Sequence, residues 1–125
     1  MVFIATNATL QTAVDGWCDG SITASTPLDG GTYGAIGDWN VSAVTNMKNL
    51  FYNKKLFNDD ISGWDVSNVT DMENMFHSAY VFNQPIGNWD VSKVTSMYDM
   101  FHSAIAFNQP LANWERTTGV NGATS

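Results

Sequence analysis

The chain has 125 residues, of which 44% are apolar and 13% aromatic. That is enough to bury one interior and too much for an intrinsically disordered chain. Twelve acidic residues against five basic ones leave a formal charge of −7, which gives neither a nucleic-acid backbone nor an anionic lipid surface an electrostatic footprint.

At the N-terminus, Met1-Val2-Phe3-Ile4-Ala5 runs at once into Thr6 and Asn7. This reads as neither a signal peptide nor a transmembrane span. Residues 7–17 (NATLQTAVDGW) place Leu10, Val14 and Trp17 on one face behind Asn7 as N-cap. They predict an amphipathic helix that covers the first repeat. Residues 18–35 are rich in Gly, Ser and Thr and predict a loop, so 1–35 form an N-terminal cap. The single cysteine, Cys18, excludes an internal disulfide framework and a thiolate zinc cluster. It is expected to be a small buried hydrophobe.

From residue 36 the chain repeats, with Trp39, Trp64, Trp89 and Trp114 spaced 25 residues apart. Units 64–88 and 89–113 are identical at 17 of 25 positions, and units 39–63 and 64–88 at 11 of 25. Within each unit, Ile-x-x-Trp-x-Val (Ile36, Trp39, Val41; Ile61, Trp64, Val66; Ile86, Trp89, Val91) has the apolar spacing of a leucine-rich-repeat strand. Val69, Met72, Met75, Phe76 and Ala79 then recur at helical offsets. Thr70 and Glu73 read as a capping box, with Thr45 and Thr95 as caps in the other units. These signals predict an α/β fold: a short right-handed leucine-rich-repeat-like solenoid over 36–114, with one short strand and one short helix per coil. After Trp114 the pattern decays, and 115–125 read as a flexible tail with no closing cap.

The four repeat tryptophans fall at apolar strand positions and are expected to stack in the core, rather than to offer faces to a sugar. Asn58, Asn83 and Asn108 follow a phenylalanine in every unit and predict an internal amide ladder that satisfies backbone groups. Residues flanking the inward strand positions point outward: Asp38, Asn40 and Ser42; Asp65 and Ser67; Asn88, Asp90 and Ser92. They form either a polar ribbon for a basic protein, glycan hydroxyls or calcium, or a set of turn-closing residues. His77 and His102 share a repeat position, but Tyr52 takes that place in the first unit and no carboxylate recurs beside it. They predict solvated histidines rather than a metal site. No nucleophile with a paired base, phosphate loop or metal triad is present, so neither catalysis nor a cofactor is expected. The sequons at Asn7, Asn40 and Asn68 discriminate little.

The unit W-D-V-S-x-V-T-x-M-x-x-M-F-x-x-A-x-x-F-N-Q-x-I over 36–114, with T-L-x-x-A-V-x-x-W and Y-G-x-I before it, resembles the BspA-like leucine-rich-repeat surface proteins. The resemblance implies an extracellular or surface-displayed adhesion module, without catalysis, that binds a protein or glycan partner. A second expectation comes from the missing closing cap: an exposed coil end would let copies stack end to end into filaments.

Overall fold

The computed structural model describes residues 2–116. Of the decayed repeat and tail expected over 115–125, Glu115 and Arg116 end a 3-10 helix, Ala112–Arg116, and 117–125 lie outside the described residues. One α-helix, α1 (Leu10–Asp19), precedes a two-residue antiparallel hairpin, β1 (Pro27–Leu28) and β2 (Gly31–Thr32). α1 buries Leu10, Ala13 and Val14 and stops at Gly20, whose left-handed φ of 87° favours a residue without Cβ. Asn7 is not its N-cap. Thr9 occupies that position, and the Asn7 side chain serves the first unit instead.

Residues 25 apart lie beside one another throughout the array. Phe51, Phe76 and Phe101 form a column with ring centroids 5.3 and 5.7 Å apart. Phe57, Phe82 and Phe107 form a second, at 5.8 and 6.0 Å. The two columns touch face to face, at 4.2 to 4.3 Å within each unit. Trp39, Trp64, Trp89 and Trp114 are 3%, 3%, 4% and 2% exposed. Trp64 and Trp89 also reach across units, donating Nε1–H to the carbonyls of Ile36 at 2.8 Å and Ile61 at 3.2 Å.

The helix expected over 69–79 is absent. Its apolar positions Val69, Met72, Met75, Phe76 and Ala79 are all buried, but the backbone runs as a series of turns. Asn74 and Ser78 adopt φ of 56° and 59°, as do their counterparts Asn49 and Asn53 (61° and 59°) and Asp99 and Ser103 (54° and 60°). A left-handed residue at every fourth position is incompatible with a continuous α-helix. The amides divide their bonds accordingly. Those of Met75, His77 and Ala79 bond the carbonyl three residues back. Those of Met72, Asn74, Phe76 and Ser78 cross to Ser96, Tyr98, Met100 and His102 in the next unit, at 2.8 to 3.0 Å.

Thr70 and Glu73 therefore form no capping box: the Thr70 hydroxyl and amide both donate to the Thr45 carbonyl. The parallel bridges between units fall at Asn46, Asp71 and Ser96, inside the expected helix, rather than at the Ile-x-x-Trp-x-Val segments. Those segments bury their apolar side chains in turns, with a 3-10 helix at Ile36–Asp38 in the first unit. Adjacent units approach so closely there that a Cβ on Gly37 or Gly87 would collide with the carbonyl of Asp60 or Pro110.

Candidate functional site

The surface with the clearest repeat is a row of side-chain turns just after each buried tryptophan. Asn40 Oδ1 accepts both the amide (3.0 Å) and the hydroxyl (2.6 Å) of Ser42. Asp65 Oδ1 accepts the same two donors from Ser67 at 3.0 and 2.6 Å. Asp90 accepts the Ser92 amide at 3.0 Å. Asx-turns of this kind follow from a short side-chain acceptor two residues before a free amide. The Ser67 and Ser92 hydrogen bonds hold the Asp65 and Asp90 carboxyls below the ordinary aspartate value, and each carboxylate is solvent-exposed.

Asp38, Asn40, Asp65, Asn88, Asp90 and Ser92 are exposed, and Ser42 and Ser67 are half-buried. Asp90 also lies close enough to oppose, weakly, the lowering at Asp65. Lys93 Nζ donates to Asn68 Oδ1 across units at 3.0 Å, and Asn68 Nδ2 donates to the Ser42 carbonyl at 2.8 Å. Asn40, Asp65 and Asp90 thus both close a turn and face outward, whereas Asp38 and Asn88 are exposed and close none.

Asn58, Asn83 and Asn108 do form a ladder, but at the surface rather than inside. Asn58 and Asn108 are exposed and Asn83 half-buried. The Asn83 and Asn108 amides donate to the side-chain oxygen one unit back, at 2.8 and 2.9 Å. Gln84 and Gln109 add a second rail by donating to the Asn58 and Asn83 side chains and carbonyls. The ladder sits outside the core because each amide has to reach a neighbour's backbone rather than fill apolar space.

His77 stacks on Tyr52 and His102 lies tilted against His77, both with centroids 4.8 Å apart. Among the described residues, no group of three or more His, Cys, Asp or Glu side chains could hold a metal ion. Cys18 is exposed rather than buried, at the rim of a cleft beside α1. Desolvation by the adjoining cleft, outweighing the opposing pull of Lys54, raises its thiol to about 11. It is therefore protonated at neutral pH and a weak nucleophile.

That cleft, about 480 Å³, lies between the last turns of α1 and residues 53–59 of the first unit. It forms where the first unit departs from the other two, so the shared pattern alone passes over it. The signal was available in the aligned units: Asn53, Lys54, Lys55 and Asp59 have no charged counterpart in either later copy.

A family model described as "Mycoplasma protein of unknown function, DUF285" matches residues 27–124. The chain belongs to this family. The matched stretch takes in the hairpin and all three units and begins after α1. No curated protein and no solved structure matches the chain. Among the described residues, no helix is long and apolar enough to cross a membrane.

Proposed function

We propose that the chain is a short right-handed solenoid of leucine-rich-repeat type that works as a noncatalytic, extracellular or surface-displayed interaction module. Its partner docks on the row of side-chain turns. The observation that carries this reading is the repetition of one exposed carboxylate or amide per unit in constant register: Asn40, Asp65 and Asp90. A row of fixed acceptors, pre-ordered by the serine bonds, loses little freedom on binding and suits a basic protein surface or glycan hydroxyls. The parallel bridging between units supports the solenoid, and the BspA-like motif supports surface display.

Asn40 shows that an amide closes the turn as well as a carboxylate does. Asp65→Asn with Asp90→Asn therefore removes charge while keeping the turns. Glycan and basic-peptide arrays should show binding by the parent and a marked loss in the double variant. Equal binding by both would reject this face.

A second reading, self-association through the C-terminal edge, is favoured by one observation: Trp114 Nε1 is buried without a hydrogen-bond partner among the described residues. The N-terminal edge is covered by residues 3–11, so pairing of two C-terminal edges is favoured over open-ended filaments. Sedimentation velocity over a range of concentrations separates a pair from a monomer.

A further inference from the structure

The repeat breaks at one cluster, and the break builds a concave site. Positions 53, 54, 55 and 59 are Asn, Lys, Lys and Asp in the first unit. In the second and third units they are Ser78 and Ser103, Ala79 and Ala104, Tyr80 and Ile105, and Gln84 and Gln109. All four first-unit residues line the cleft beside α1, together with Trp17. Trp17 is half-buried, and its Nε1–H donates to Asp59 Oδ2 at 2.8 Å, which fixes the indole. Lys54 Nζ lies 2.8 Å from Asp15 Oδ1. Lys55 is drawn away, with its ammonium 5.5 Å from the Tyr80 ring centroid.

These contacts do not exhaust the polar groups. An ammonium has three donors and a carboxylate about four acceptor sites. Lys54 and Asp59 therefore keep unused capacity. Asn53 is held by its backbone, whose amide bonds the His77 carbonyl at 2.9 Å, and its side-chain amide offers both a donor and an acceptor. An anionic ligand would meet Asp15, Asp19 and Asp59, whereas a cationic one would meet Lys54 and Lys55. A neutral polyol with one apolar face meets a fixed indole and a balanced set of donors and acceptors.

We propose that this cleft binds the ring of a neutral carbohydrate, with Trp17 packing on its C–H face and Asn53, Lys54 and Asp59 bonding its hydroxyls. The site shares no residue with the row of side-chain turns and goes beyond the docking role given to that row.

The test uses the full chain, labelled for NMR and titrated with methyl β-glucopyranoside, methyl α-mannopyranoside and N-acetylglucosamine. At least one sugar should give saturable shifts of the Trp17 indole N–H and the Asn53 side-chain amide, while the Trp64 indole stays in place. Because Cys18 is the only thiol and lines the cleft, its alkylation by N-ethylmaleimide should slow about tenfold at about ten times the dissociation constant. Asn53→Gly suits the left-handed backbone at φ 59° and should weaken that sugar about fivefold, as expected for one lost hydrogen bond. An unchanged Trp64 indole resonance shows that this variant is folded. Absence of saturable shifts with all three sugars, unchanged alkylation, or equal affinity in the variant overturns the assignment. So does protection of Cys18 by an oligolysine peptide but by none of the sugars.

Discussion

The two ends of the array face the same physical problem and meet it differently. At the N-terminal end, Asn40 donates to the Phe3 carbonyl and Ala5 to the Asn40 carbonyl, so a short extended segment pairs with the first unit. Deeper in the array the Thr70 and Thr95 amides donate to the Thr45 and Thr70 carbonyls, each at 2.8 Å. Thr45 has no preceding unit, and its amide donates to Asn7 Oδ1 at 2.9 Å instead. Gln11 Nε2 likewise caps the Leu50 carbonyl at 3.0 Å. Side chains thus imitate the absent neighbour.

At the other end, among the described residues, the amides of Met97, Asp99, Phe101 and Ser103 have no acceptor and the buried Trp114 Nε1 has no partner. A repeat unit is stabilised largely by its neighbours. An end is therefore stable in proportion to how well non-repeat residues copy a neighbour's bonds.

The largest expected effect is in the middle, where both neighbours are present. Trp64→Ala removes a ring that is 3% exposed and its bond to Ile36, and should cost about 3–5 kcal/mol in urea unfolding. A melting temperature equal to the parent's would mean that the tryptophans are surface groups. The next effect sharpens the contrast between interior and open edge. Trp64→Phe leaves the buried Ile36 carbonyl with the Trp39 amide alone and should cost about 0.5–1.5 kcal/mol. Trp114→Phe loses no hydrogen bond among the described residues, and should be the milder change by the same assay.

Asn7→Ala takes away the substitute acceptor for Thr45. We expect a loss of about 1 kcal/mol, with faster exchange at the Thr45 amide and little change at Thr95. The smallest effect concerns pH. The Asp65 and Asp90 carboxyls are depressed in the folded protein by the Ser67 and Ser92 bonds, so the folded state binds fewer protons there than the unfolded chain. The stabilisation is present above the ordinary aspartate value and fades as pH falls through the depressed one. Asp65→Asn with Asp90→Asn should flatten the acid limb of stability slightly, as read from melting temperature against pH.

Which positions are buried was legible in the sequence; the local backbone was not. Val69, Met72, Met75 and Phe76 are core residues as their spacing implied, but offsets of three and four serve a chain of three-residue turns as well as a helix. Asn49, Asn74 and Asp99 were the available warning, since Asn and Asp tolerate left-handed φ that would interrupt a helix. Asp29-Gly30 between Leu28 and Gly31 was a second missed signal, the two-residue turn of the β1–β2 hairpin. Among candidate site residues, the Asp–Ser spacing of two announced the side-chain turns. The cleft beside α1 was hidden because it joins residues 42 apart, Trp17 and Asp59, through a helix whose docking no local pattern encodes.

Native-state amide hydrogen exchange can show whether backbone bonds tie the units to one another, with residues 3–11 sealing the first unit and no acceptor among the described residues for the odd-numbered amides of 97–103. Met72, Asn74, Phe76 and Ser78 should be strongly protected, Thr45 should share that protection through Asn7, and Met97, Asp99, Phe101 and Ser103 should exchange far faster. Equal protection of the 72–78 and 97–103 sets would mean that the second set has acceptors beyond those among the described residues, and that protection does not come from the bonds between units.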